Sequence, residues 1–290
     1  MKAIGLMAAL ALSACTVALD ERTAFQPPDT GPAAQTAAVL SDRADAMFAP
    51  LAATYAVSHG FLGAGEERIA YTLVRGTDAR RPLIVHCGGN AADRRNSGVA
   101  YARKALRFGD VLLFDYPGYG DSGGAPSAEA LHSAAARIAA LAEETAGARR
   151  IVAWGHSLGG FVCGAVAQRL PQTAGLVFET SARNAREVAD ALRPWYAAPL
   201  VRVNVAQSLA AYDNAAASAA VRAPVLVIGA RRDRQLPVRL SRSLAEAIEA
   251  AGVRVTYVEL TDAGHNNAPD DPAFPAALAA FFQSIEAGPL

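Results

Sequence analysis

A serine sits between glycines in Gly155-His156-Ser157-Leu158-Gly159, directly after the strand-forming run 151–154 (IVAW). A serine hydroxyl becomes a useful nucleophile only when a base takes its proton and a carboxylate orients that base. Downstream of Ser157 the chain holds a single histidine, His265, in Asp262-Ala263-Gly264-His265-Asn266. Between the two, Asp233 follows the apolar run 224–228 (PVLVI). Nucleophile, acid and base thus occur in the order that a G-x-S-x-G hydrolase needs. Glu179, after the run 175–178 (GLVF), is the second candidate for the acid; Asp262 is so near His265 that it is expected to shape that loop.

Acyl transfer also needs preorganised donors for the oxyanion. The first expected donor is the backbone N–H of Leu158, next to the nucleophile. The second should come from the loop after the run 82–87 (PLIVHC), which reads Gly88-Gly89-Asn90-Ala91-Ala92. The N–H of Asn90 is assigned, with Gly89 as the alternative. Glycine there lets the backbone approach a substrate closely.

These residues must be carried by something rigid. Short apolar runs at 82–87, 111–114, 151–154, 175–178, 224–228 and 253–260 alternate with helical stretches at 97–108, 127–146, 240–251 and 274–285. The segment 68–74 alternates like a more exposed strand. Continuous apolar strands between helices predict an α/β fold: a mostly parallel sheet with helices on both faces. In such sheets ligands bind beyond the C-terminal strand ends, which is where Ser157, Asp233 and His265 fall.

The chain has 290 residues, 52% hydrophobic and 19% charged, with 27 basic against 27 acidic side chains. That balance leaves no basic field for nucleic acid, and none is expected as a partner. No His/Cys spacing suggests a metal, and no cofactor is expected. Residues 4–14 (IGLMAALALSA) follow Met1-Lys2 and are too short to span a bilayer, which takes about 20 residues. They fit an export signal. Leu12-Ser13-Ala14-Cys15 resembles a bacterial lipobox, so Cys15 is expected to be lipidated and to anchor an exported protein at an envelope membrane. The expected organisation is a signal peptide at 1–14, a lipidated flexible tether at 15–40 and a catalytic domain at 41–290. Within it a short cap insertion is expected at about 181–222, where Trp195, Tyr196 and Pro199 either line an acyl pocket or simply pack. Cys87 and Cys163 both lie in apolar runs and are expected to be buried free thiols.

Taken together, Gly88-Gly89-Asn90-Ala91, the stretch 114–124 (FDYPGYGDSGG), the Ser157 turn, 224–229 before Asp233, and Gly264-His265-Asn266 resemble the α/β-hydrolase family. The nearest subgroup is the small hydrolases with an H-G-N oxyanion loop, similar to depalmitoylating thioesterases and monoacylglycerol-lipase-like enzymes. The motifs span roughly residues 69–282. The resemblance implies a short-capped α/β-hydrolase fold and a serine hydrolase acting on a small-molecule acyl ester, thioester or lipid. The same triad could serve an acyltransferase, and the same fold a non-catalytic lipid-anchored binding protein. One departure concerns the loop: Gly88-Gly89 stands where an H-G pair is expected, with His86 two residues earlier. Another is a set of arginines, Arg231, Arg232 and Arg234, crowding the acid; each either meets an anionic substrate group or is simply solvated.

Overall fold

Three runs in the middle of the chain are buried at every residue, and they form the centre of the sheet. The computed structural model describes residues 15–28, 37–193, 196 and 201–287; the expected signal peptide, Trp195 and Pro199 lie outside them. In chain order the elements are β1 (Cys15–Leu19), α1 (Glu21–Ala24), α2 (Ala37–Ala52), β2 (Ala56–Leu62), β3 (Ile69–Arg75), β4 (Leu83–Cys87), α3 (Arg94–Ala105), β5 (Asp110–Phe114), α4 (Ala128–Ala146), β6 (Ile151–His156), α5 (Gly159–Ala167), β7 (Thr173–Glu179), α6 (Ala185–Leu192), β8 (Val201–Val205), α7 (Gln207–Ala210), α8 (Asn214–Val221), β9 (Val225–Ala230), α9 (Arg239–Ala250), β10 (Val255–Leu260) and α10 (Ala273–Glu286), besides two short 3-10 turns.

The main sheet has eight strands in the order β10-β9-β7-β6-β4-β5-β3-β2. From β10 to β5 neighbours are parallel; β3 runs antiparallel to β5, and β2 antiparallel to β3. Strand alternation sends Leu83, Val85 and Cys87 of β4 to a core shared with α4 and α5. Ile84 turns to the opposite core, shared with α2, α3 and α10. Each face is therefore sealed by helices, as continuous apolar strands require. Helix α4 shows the local logic. Ser127 caps its start by accepting from the Ala130 N–H. Leu131, Ala134, Ala135, Ile138, Ala139 and Ala142 form its buried stripe, and Gly147 ends it at φ 58°.

The motif after β5 acquires a role that its sequence did not announce. Asp115 and Asp121 clamp one guanidinium, that of Arg94 at the start of α3, at 3.0 Å each. Arg94 also donates to Thr72 Oγ1 on β3 at 2.7 Å. All four residues are buried, so this network locks the loop after β5 to the first turn of α3.

Two expectations are corrected. Residues 15–28 are docked against the domain. β1 pairs in parallel with β8, Phe25 is buried, and the Glu21 carboxylate accepts from the Ala128 N–H at the start of α4. The alternating stretch 15–19 (CTVAL) finds an edge partner in β8, which a purely compositional reading of the following Pro-rich stretch overlooks. The expected boundary at residue 41 also falls inside α2, which already packs against α3 and β2. The second correction is that Cys87 and Cys163 form a disulfide, with Cα atoms 5.7 Å apart. Burial in apolar runs was the ground for expecting free thiols. But α5 crosses directly over β4 and brings the two residues within bridging range.

Candidate active site

Ser157 occupies the turn between β6 and α5 with φ 54°, a left-handed conformation that costs an L-residue free energy. The turn is tight enough to demand its glycines. A Cβ on Gly155 would lie 2.3 Å from the Gly159 carbonyl oxygen, and one on Gly159 would lie 2.1 Å from that of Cys87. The result lifts the serine side chain above the C-terminal edge of the sheet, at the N-terminus of a helix.

His265, in the loop after β10, places Nε2 2.9 Å from Ser157 Oγ. Its Nδ1 lies 2.7 Å from Asp233 Oδ2. The other carboxylate oxygen, Oδ1, accepts the backbone N–H groups of Gln235 and Leu236, each at 2.8 Å. Asp233 is thereby held by its own loop and can direct Oδ2 at the imidazole. All three residues are buried to within 8% exposure, so these bonds face little competition from water. An Asp233-bound Nδ1–H leaves Nε2 as the acceptor for the serine hydroxyl.

The second candidate acid is placed elsewhere. Glu179 ends β7 but accepts from Lys104 Nζ at 2.6 Å and from Trp154 Nε1 at 2.8 Å. Burial pushes its carboxyl up, while the Lys104 ammonium and hydrogen bonds more than offset this and hold it below the usual range. Asp262 pairs with Arg232 at the surface and does not reach the His265 ring. Of the three arginines near the acid, Arg231 pairs with Glu259 and Arg232 with Asp262; Arg234 lines the cleft beside Ser157.

Around Ser157 the N–H groups of Leu158 and Asn90 make no hydrogen bond to protein among the described residues. The alternative, the Gly89 N–H, already donates to Tyr101 OH at 3.3 Å. The Asn90 side chain is fully engaged: its Nδ2 donates to the Ala24 carbonyl at 2.7 Å, and its Oδ1 accepts from Gln26 N–H at 2.9 Å and Tyr119 OH at 2.8 Å. His86, the residue two places before the Gly-Gly pair, belongs to β4 and stacks on Tyr101 with ring centroids 4.4 Å apart. Burial holds its imidazole well below the usual range, so it is a neutral core residue.

Sequence reasoning missed His156 and Tyr101. His156 Nε2 donates to the backbone carbonyl of His265 at 3.0 Å, and its Nδ1 lies 3.3 Å from Tyr101 OH. Its position inside G-x-S-x-G was the one signal available. The docked segment 19–26 was missed as well.

Two spaces meet at Ser157. One is a cavity of about 250 Å³ with an almost wholly apolar lining, including Leu19, Phe25, Leu131, Phe161, Leu209 and Leu236. The other is a more polar cleft of about 650 Å³ bordered by Gln26, Tyr101, Arg234, His265 and Asn266. Among the described residues there is no group of His, Cys, Asp and Glu that could hold a metal ion, and no helix is long and apolar enough to cross a membrane.

Residues 82–212 match the family model described as alpha/beta hydrolase fold. An uncharacterised protein of Mycobacterium tuberculosis is 37% identical over 191 residues, covering 64% of this chain; the chain spans 63% of that relative. A lysophosphatidylserine lipase of Danio rerio is 35% identical over 115 residues, 37% of this chain and 30% of that protein. Among solved structures, an esterase of Pyrococcus furiosus superposes with a TM-score of 0.60 at 16% identity, covering 90% of this chain and 97% of that one. A Butyrivibrio proteoclasticus protein bound to ferulic acid gives 0.61 at 15% identity, covering 76% and 96%.

Proposed function

On the α/β-hydrolase fold that this chain adopts, we propose that Ser157, His265 and Asp233 form the triad of a serine hydrolase cleaving carboxylic esters or thioesters. The observation that carries the reading is the continuous row Ser157 Oγ, His265 Nε2, His265 Nδ1, Asp233 Oδ2, at 2.9 and 2.7 Å. His265 Nε2 takes the serine proton as Oγ attacks the acyl carbonyl. The N–H groups of Leu158 and Asn90 receive the oxyanion, and Asp233 stabilises the imidazolium. Collapse breaks the C–O or C–S bond, and His265 returns the proton to the leaving alcohol or thiol. Water, deprotonated by the same imidazole, then releases the acid and restores Ser157.

The apolar cavity suits the acyl chain and the polar cleft suits the leaving group. The similarity to a lysophosphatidylserine lipase favours a lipid acyl ester within that class. Residues 1–15 further support export and lipidation at Cys15, with the domain held at an envelope membrane. A buried disulfide fits an oxidising compartment.

The test is labelling with a fluorophosphonate, followed by a chain-length series of p-nitrophenyl esters. Modification is expected at Ser157, and Ser157→Ala should lose both labelling and turnover while its circular dichroism is unchanged. A folded protein that neither labels nor hydrolyses any ester in the series would refute the reading.

A further inference from the structure

The described residues leave three large hydrophobic side chains exposed: Val17 at 51%, Leu192 at 53% and Tyr196 at 66%. Single exposed hydrophobics are ordinary on a protein surface. Two of them, Val17 and Leu192, share one place. β1 and β8 pair with Cys15 opposite Val201 and Val17 opposite Val203. Arg193 Nη1 donates to the Val201 carbonyl at 3.0 Å, which draws the end of α6, and Leu192 with it, to the same strand ends. Tyr196 lies four residues further along the chain. On the face these strands share, Val17 is exposed, Leu19 lines the apolar cavity and Val205 is buried. Leu192 borders both the cavity and the cleft beside Ser157. Val17, two residues before Leu19 on the same face of β1, and Leu192 thus stand at the rim of the apolar cavity.

The path of the chain indicates what covers that rim. The apolar stretch 4–14 runs straight into Cys15, the first residue of β1. From Cys15 to Leu19 is four strand residues, about 13 Å. With β1 pinned to β8, no slack separates the end of the apolar leader from the cavity wall. Whether a bilayer holds the leader itself or acyl chains on Cys15, the rim comes with it.

We propose that the rim at Val17 and Leu192, with exposed Tyr196 four residues further on, is a docking face for a lipid bilayer, and that acyl chains enter the cavity directly from the membrane. The docking stands on the rim and the leader; the entry of substrate rests in addition on the hydrolase reading. The consequence is a protein held with its cavity mouth against the lipid rather than swinging on a tether.

The experiment uses the full chain with an environment-sensitive fluorophore on Val17→Cys or Tyr196→Cys, and the unsubstituted chain carried through the same labelling as background. Asp78→Cys is the control, since Asp78 lies before β4 at the opposite end of the sheet. On vesicles of phosphatidylcholine with a minority of phosphatidylglycerol, the probes at 17 and 196 should brighten several-fold and shift to the blue; the probe at 78 should not. Val17→Gln and Tyr196→Gln, made separately in case the first unpairs β1, should each cut hydrolysis of a vesicle-borne long-chain ester about tenfold, the equivalent of 1.4 kcal/mol. Hydrolysis of a soluble short-chain ester should be unchanged. Rim probes that stay at their water emission while the protein floats with the vesicles would overturn the proposal, leaving the anchor alone to hold the protein. So would a blue shift that grows with protein concentration without vesicles, which would make the rim a contact between two copies. Rim probes that respond to vesicles in a protein that hydrolyses neither ester would support docking and refute the hydrolase reading.

Discussion

His156 Nε2 donates to the backbone carbonyl of His265, the residue whose ring faces Ser157. The bond belongs to a longer chain with one consistent direction. The Gly89 N–H donates to Tyr101 OH, the Tyr101 hydroxyl donates to His156 Nδ1, and His156 Nε2–H donates to the His265 carbonyl. This requires a neutral His156 protonated on Nε2, and burial supplies it by pushing the imidazole down to about 4. The Gly89 loop and the His265 loop are thereby tied to each other behind Ser157. Substitution His156→Ala should let both loops drift while leaving the cavity lining intact. A kcat about tenfold lower with little change in KM is expected, equivalent to about 1.4 kcal/mol in the transition state. Tyr101→Phe, which removes the middle of the chain, should move kcat in the same direction. Unchanged kcat in both variants would reduce the chain to packing.

The same histidine makes stability depend on pH. Its folded value is about 4 against an ordinary value of 6.5, so between these the unfolded chain binds more protons than the folded one. Stability therefore falls as pH drops from 6.5 to about 4 and then levels off for this group, with a total on the order of 3 kcal/mol. Burial lowers His86 in the same sense and adds to the slope. Urea midpoints measured across this range should fall with acidification, and His156→Gln should flatten the slope. An equal slope in the variant would assign the proton uptake to other groups.

The disulfide joins the strand that runs into the Gly88-Gly89-Asn90 loop to the helix that begins just after Ser157. Cys87 immediately precedes Gly88, and Cys163 lies one turn into α5. Its loop of 76 residues gives a chain-entropy stabilisation of about 4 kcal/mol. Cys87→Ala with Cys163→Ala should lower the Tm by roughly 10 °C for a protein of this size. Because the bond is buried, reductant should act slowly on the folded protein and quickly in mild denaturant. Rapid reduction without denaturant would mean that the β4–α5 contact opens readily.

The sheet was legible because its central parallel strands are largely apolar runs, as burial on both faces favours; the edge strand β10 (VTYVEL) carries Thr256 and Glu259 and is only partly buried. Ser157, Asp233 and His265 were legible as candidates because they follow such runs, and the structure brings them into one row. Glu179 carried the same kind of signal but faces Lys104 and Trp154, a pairing across 75 residues that no local pattern encodes. The disulfide was missed for a related reason: two buried cysteines look alike whether or not a helix crosses a strand between them. β1 escaped notice because a five-residue edge strand gains its stability from β8, far away in the sequence.

The Asn90 side chain links this segment to chemistry. Three bonds hold it: to the Ala24 carbonyl, the Gln26 N–H and the Tyr119 hydroxyl. The first two come from the segment whose Leu19 and Phe25 wall the apolar cavity. Asn90→Ala keeps the backbone N–H assigned to the oxyanion but removes both ties, leaving polar groups that must find water. The segment should loosen and the cavity should lose a wall. For long-chain p-nitrophenyl esters kcat/KM should then fall about tenfold, since losing the burial of one or two methylenes at about 0.8 kcal/mol each is enough to produce that change. Acetate ester, too short to fill the cavity, should lose much less. An equal loss for both substrates would place the effect in the Asn90 loop alone, and no loss for either would show that the segment does not wall the working cavity. Tyr119→Phe, which spares both ties to the segment, should separate these outcomes by leaving chain-length preference as it was.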